Sequence, residues 1–228
     1  MFDQPRSAPS VRRSTHWLRR AFRSASHPLS FTHSQEYWEA RYASGGHSGA
    51  GSYKKFAQFK ADILNRFVSE YAIDTVIELG CGDGNQLLLA RYPQYLGIDV
   101  SPTAIALCRR LFAEDKAKDF RLLSDYAYET AELSLSLDVI YHLVEDEVFA
   151  EYMHTLFSAA ERYVIIYGSN FDDPEQRAGP HVRHRKFSGW VASNLPRWTL
   201  CQHIPNKYPY RGNYRKGSFA DFYVYRKD

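Results

Sequence analysis

The chain has 228 residues, 44% hydrophobic and 24% charged, with a formal charge of +3, the dimensions of one α/β domain with modest additions. No stretch approaches the ~20 apolar residues needed to span a bilayer, which predicts a soluble, cytoplasmic protein, at most peripheral to a membrane. Cys81, Cys108 and Cys201 have no metal-ligand spacing, so neither a disulfide framework nor a bound metal is expected.

Residues 1–33 read as a basic, disordered arm. Six arginines against Asp3 give residues 1–34 a net charge of +5 and leave −2 for the rest, so the overall charge does not argue for nucleic-acid binding by the folded part. Val11, Leu18, Phe22 and Ala25 lie beside arginines at roughly helical spacing, a pattern suited to a peripheral membrane or protein contact. The Arg/Ser-rich, acid-poor composition is also that of an organelle transit peptide.

Residues 34–70 read as N-terminal helices and a lid. A helix is predicted over 34–42 with Ser34 as its N-cap, then a glycine-rich loop at 44–52. A second helix follows over 53–70, with Phe56, Phe59, Ile63, Leu64 and Phe67 on one face. From 71 to 228, strands are predicted at 74–79, 95–99, 119–124, 132–138, 162–168, 199–204 and 218–225, and helices at 84–91, 102–114, 145–159 and 185–194. This alternation predicts an α/β fold, a seven-stranded, mostly parallel sheet with helices on both faces. The last two strands lack a helix between them and read as a C-terminal antiparallel hairpin.

Ligands of open α/β sheets bind beyond the carboxyl ends of the strands, where strand order reverses. There the sequence runs Glu78-Leu79-Gly80-Cys81-Gly82-Asp83-Gly84, a turn whose glycines let a ligand approach the backbone. Asn85 stands where a dinucleotide fingerprint needs its third glycine, and no Lys-Ser/Thr follows for a P-loop. Asp99 closes the next predicted strand, and a carboxylate can accept hydrogen bonds from both hydroxyls of a ribose. Ser101 and Pro102 suit the cap and first turn of the following helix.

The run E-x-G-x-G-x-G with Asp99 after it resembles the class I, Rossmann-like methyltransferases that use S-adenosylmethionine (SAM), over about residues 75–168. The resemblance implies SAM as cofactor. It implies that Glu78 helps hold the methionine ammonium, that Gly80, Cys81, Gly82 and Gly84 form the cradle, and that Asp99, with Val100 beside it, holds the ribose. It also implies that Asp125, after the third strand, accepts from the adenine amino group. The segment Tyr37-Trp38-Glu39-x-Arg41-Tyr42 is similar to the helix that folds over SAM in many small-molecule methyltransferases, and the 44–53 loop with Tyr53 is expected in the same lid.

Methyl transfer from a sulfonium is an in-line displacement, and an alcohol acceptor must also lose a proton. Beyond the fourth strand stand Asp138, Tyr141 and His142, and the Asn/Asp-Pro-Pro-Tyr motif of amide- and base-nitrogen methyltransferases is absent. An acid and a histidine favour an oxygen acceptor, with His142 as general base, Asp138 orienting it or the substrate, and Tyr141 at the substrate. His181, Arg183, His184 and Arg185 form a basic cluster suited to an anionic group on the acceptor. The chain resembles bacterial methyltransferases of small molecules and glycan precursors, which implies O-methylation of a hydroxylated acceptor. Tyr208, Tyr210, Tyr214, Trp190 and Trp198 suit ring stacking or plain packing. A nucleic-acid or protein methyltransferase, a non-catalytic scaffold of the same fold, and an NAD oxidoreductase remain alternatives.

Overall fold

Residues 31–173 and 179–228 are described by a computed structural model of the chain. Most of the arm read at 1–33, and any membrane or partner contact through it, lies outside the described residues. Helices α1 (Ser34–Ala43) and α2 (Lys54–Glu70) precede the strands β1 (Thr75–Leu79), β2 (Gln94–Asp99), β3 (Lys118–Leu122), β4 (Ala131–Leu137), β5 (Ala160–Gly168), β6 (Trp198–Ile204) and β7 (Asp221–Lys227). Helices α3 (Pro102–Leu111), α4 (Asp146–Ser158) and α5 (Phe187–Asn194) connect them.

The strands form one sheet in the order β3-β2-β1-β4-β5-β7-β6. β1 through β5 pair in parallel, and β7 runs antiparallel to both β5 and β6. Strand order reverses between β1 and β4, so the turns leaving these two strands face one crevice. Val76 to Leu79 and Leu133 to Leu137 are buried without interruption, as strands covered on both faces must be. Alternate residues serve opposite layers: Ile165 and Tyr167 join Leu64, Phe67 and Val68 of α2, whereas Val164 and Ile166 join Met153, Leu156, Phe187 and Val191 of α4 and α5.

Three local expectations are corrected. The helix predicted over 84–91 is only a 3₁₀ turn at Leu87–Leu89. Gly84 has a φ of 77° and Pro93 follows shortly, leaving too few residues to offset the cost of helix nucleation. Asn85 and Gln86 instead direct their side-chain amides to Ser52 O and Ala57 O. Ser34 is the first helical residue of α1 and His33 occupies the cap position. The Ser34 hydroxyl donates to Glu145 Oε2 at 2.6 Å, tying α1 to the start of α4. The helix predicted from 185 begins at Phe187. No described helix is long and apolar enough to cross a membrane.

Candidate active site

The turn after β1 is built by backbone that only glycine adopts freely. Gly80, Gly82 and Gly84 have φ of 85°, 59° and 77°. A Cβ on Gly80 would stand 2.5 Å from Val139 Cγ2, and one on Gly82 would stand 2.4 Å from Ser48 Oγ. The Gly80 and Cys81 amides both donate to Ile98 O. Asp99, 7% exposed, fastens the turn to β2 by accepting from Gly82 N and Ser101 N, each at 2.9 Å, with the Val100 amide also beside its carboxylate. The Ser101 side chain caps α3 by accepting from Ala104 N at 3.0 Å, and Pro102 follows at the first turn.

Glu78, 4% exposed, accepts a 2.7 Å hydrogen bond from the Tyr95 hydroxyl. Burial raises its carboxyl to about 7, opposed by Tyr95 and Lys60 and reinforced by Asp99. Cys81 is buried, and its thiol is held well above the ordinary value by its hydrogen bond with Cys108 and by burial. Asp125 is exposed at the end of the 3₁₀ turn Leu123–Asp125 that follows β3.

The 44–53 loop lies on this turn. Ser48 and Asp83 bond reciprocally: Ser48 N donates to Asp83 Oδ2 at 2.9 Å and Asp83 N to Ser48 Oγ at 3.0 Å. The Tyr53 hydroxyl donates to the same Asp83 oxygen at 2.8 Å. At its other end the loop reaches β4, since a Cβ on Gly51 would come within 2.5 Å of Asp138 Oδ2. Helix α1 spans the same distance. Glu39 accepts from Thr103 Oγ1 at the start of α3, while the Trp38 ring stands edge-on to His142 at 4.8 Å.

Asp138 follows β4 with a φ of 63°, unusual for a residue with a side chain. Its Oδ2 accepts from Lys60 Nζ and its Oδ1 from the Tyr141 hydroxyl, each at 2.6 Å. Lys60 is completely buried and was not singled out from sequence. The signal was present, because Lys60 shares the α2 face of Phe56, Ile63 and Leu64 and so interrupts an otherwise apolar stripe. His142 Nδ1 lies 3.0 Å from His181 O, which assigns the proton to Nδ1 and leaves the Nε2 lone pair open. Burial lowers the His142 pKa to about 4, against the His181 carbonyl, which raises it.

Asp138, Tyr141 and His142 border a cavity of about 370 Å³ that also includes Trp38, Arg41, His181, His184, Tyr214 and Phe219. His184 is 7% exposed, its Nδ1 lies 2.6 Å from Ser169 Oγ and its Nε2 has no hydrogen-bond partner among the described residues. The basic cluster is thereby divided. Arg183 donates to Val144 O and pairs with Asp146, and Arg185 donates to Leu143 O and Val144 O and pairs with the same carboxylate. They brace 183–186 against 143–146 and border a separate depression that includes neither Asp138 nor His142. Tyr208 packs on Phe56, Trp190 on Phe149 and Trp198 on Phe157, so for these three of the aromatic residues the plain-packing reading has its contacts.

Residues 77–164 match the family described as a methyltransferase domain. Among solved structures, the N-methyltransferase NodS from Bradyrhizobium japonicum WM9, in complex with S-adenosylhomocysteine, aligns with a TM-score of 0.67 at 16% identity, covering 86% of this chain and 99% of that one. The magnesium protoporphyrin IX methyltransferase ChlM from Synechocystis PCC 6803, with bound SAM, aligns with a TM-score of 0.61 at 15% identity, covering 88% and 100%. The methyltransferase domain of bacterial CtHen1 aligns at 0.55 and 20% identity, covering 74% and 98%. No curated protein matches the chain in sequence.

Proposed function

We propose that this chain, which carries a class I SAM-dependent methyltransferase domain, methylates a hydroxyl oxygen of a small acceptor that bears an anionic group. The observation that carries this reading is His142: its imidazole is neutral near pH 7, oriented through Nδ1 by His181 O, and has Nε2 open beside the cavity beyond β4.

The cofactor side fits SAM. Three glycines at positive φ keep the β1 turn clear of side chains. Asp99 has lone pairs beyond those engaged by Gly82 and Ser101, enough for a ribose diol. Glu78, buried and raised to about 7, is a site that a cation would stabilise. Glu78 would hold the ammonium, Gly80 to Gly84 with Cys81 the backbone cradle, Asp99 and Val100 the ribose, Asp125 the adenine amino group, and Tyr53 the lid. When bound, SAM supplies an electrophilic methyl group on a sulfonium.

The chain's own residues then have three tasks. The lid, locked through Ser48 and Asp83, excludes water. Tyr141, held by Asp138, and the aromatic walls position the acceptor for in-line attack, a large contribution because orientation removes several kcal/mol of the barrier. His142 Nε2 accepts the hydroxyl proton as the oxygen is methylated, and the nearby Asp138 carboxylate favours the resulting imidazolium. A base with a pKa of about 4 is weak, which puts its share at the lower end of general-base catalysis, about 10²-fold.

The test is a radiolabelled-methyl turnover screen of hydroxylated, amine and carboxylate acceptors, with wild type beside His142→Ala and His142→Gln. Label on oxygen and a loss of about 10²-fold in kcat for both variants are expected, with an acid limb in the wild-type profile nearer pH 4 than 6.5 because His142 loses its base form only there. Full turnover by His142→Gln would remove the residue from the mechanism, and methylation confined to nitrogen would overturn the oxygen assignment.

A further inference from the structure

Arg183 and Arg185 are engaged by Asp146 and by the Leu143 and Val144 carbonyls, and a second set of basic residues follows them in the sequence. From Gln176 to Ala220 the sequence holds nine Lys or Arg and no Asp or Glu. Arg211, Arg215 and Lys216 stand exposed on the connection between β6 and β7, and none is ion-paired among the described residues.

The connection is braced. Tyr210 N donates to Ser218 O and Ser218 N to Tyr208 O, each at 2.9 Å, and the Lys216 and Gly217 amides both donate to Asn213 O at 3.0 Å. Gly217 is needed for this close approach, since a Cβ there would stand 2.3 Å from Pro209 O. Lys55 of α2 fastens the tip, its Nζ donating to Lys216 O at 2.7 Å. Tyr214, 54% exposed, packs 4.7 Å from Tyr210. Together with Gly217, Ser218 and Phe219 it borders the cavity that contains Asp138 and His142. The field of Asp173 reaches Tyr214, one negative charge against three positive ones.

Uncompensated guanidinium forks suit phosphate oxygens, and an exposed tyrosine beside them suits a flat ring. We infer that the 208–218 loop binds the nucleoside-diphosphate end of the acceptor, so that the hydroxyl to be methylated enters the cavity toward His142. The inference rests on the small-acceptor reading above and names the class of acceptor, one linked to a nucleoside diphosphate.

The experiment is calorimetric titration of the full chain, saturated with S-adenosylhomocysteine, with uridine diphosphate, inorganic pyrophosphate and a single-stranded RNA oligonucleotide. Uridine diphosphate is expected to bind more tightly than pyrophosphate. Arg211→Gln/Arg215→Gln/Lys216→Gln is expected to weaken both by about tenfold or more, and Tyr214→Ala to remove the advantage of the nucleoside. S-adenosylhomocysteine affinity and melting temperature should match wild type in both variants. Absence of diphosphate binding, or equal binding by the triple variant, overturns the inference. So does RNA binding that exceeds that of the diphosphate and falls steeply with salt, the mark of a polyanion. Because the readout is binding, these outcomes stay separate from the acceptor screen, where nitrogen methylation would refute the oxygen reading and leave the loop's affinity untouched.

Discussion

Lys60 and Asp138 are buried as a pair, with side-chain exposures of 0% and 10%, and neither charge is tolerable alone. Lys60→Met should therefore cost about 3–5 kcal/mol in urea unfolding, the penalty of leaving one buried charge uncompensated. Adding Asp138→Asn should restore most of it, since Asn accepts the left-handed φ of 63° better than most residues. A Lys60→Met chain as stable as wild type would show that the pair is not coupled. Glu78 gives a second residue-scale prediction. Its carboxyl is raised from 4.5 to about 7 chiefly by burial, so the folded chain binds this proton more tightly than the unfolded one. The stability it contributes is present at acid pH and is lost as pH rises through about 7. A bound ammonium reverses the preference, so SAM affinity should rise between about pH 6 and pH 8 with release of a proton. Calorimetry in buffers of different ionisation heat measures both effects, and Glu78→Gln should flatten them. Glu78, the glycines and Asp99 could be read directly from sequence because each stands at a strand end in a local pattern. The partners of Arg183 and Arg185 could not, because the carbonyls and carboxylate that engage them, at 143–146, are remote in sequence and become neighbours only on folding.

At the scale of elements, the segment that joins the cofactor side to the acceptor side is the 44–53 loop, and Gly51 tests it. Its Cβ would meet Asp138 Oδ2 at 2.5 Å, while its neighbours Ser48 and Tyr53 remain bonded to Asp83 on the cofactor side. Gly51→Ala should therefore displace Asp138 and Tyr141, lowering kcat by about 10²-fold, as misplacement of about 1 Å can do, with little change in SAM affinity. Equal losses of SAM affinity and kcat would mean that the loop acts as one unit. Composition identified this stretch as a loop, and the resemblance placed it in a lid. Its attachment through Ser48 to Asp83 was not legible, since a serine in a glycine-rich run has no periodicity that marks its partner. The 84–91 segment failed differently: its apolar spacing suits a helix, but the glycine geometry before it and Pro93 after it leave room for a single 3₁₀ turn.

For the whole molecule, strict alternation from β1 to β5 made the parallel sheet legible, whereas the insertion of β7 between β5 and β6 was less so. The signal lay in Phe222 to Tyr225, four consecutive buried residues of the kind found in a strand covered on both faces, against the largely exposed β6. This placement leaves the β6–β7 connection beside the cavity that Asp138 and His142 border, so the proposed acceptor and cofactor sites can be perturbed separately. A ligand that binds only the folded chain stabilises it by about 2.7 kcal/mol at 100 times its Kd, which for a domain of this size raises Tm by roughly 5–10 °C. SAM should produce that shift in wild type, in His142→Ala and in the Arg211/Arg215/Lys216 triple variant alike. Gly82→Ala should lose it, because its new Cβ would meet Ser48 Oγ at 2.4 Å in a conformation with φ of 59°, disturbing the cradle and the lid together. Thermal unfolding of the four proteins with and without SAM checks the set. A full shift in Gly82→Ala would move the cofactor away from the turn, whereas its absence from wild type would favour a non-catalytic scaffold over a working enzyme.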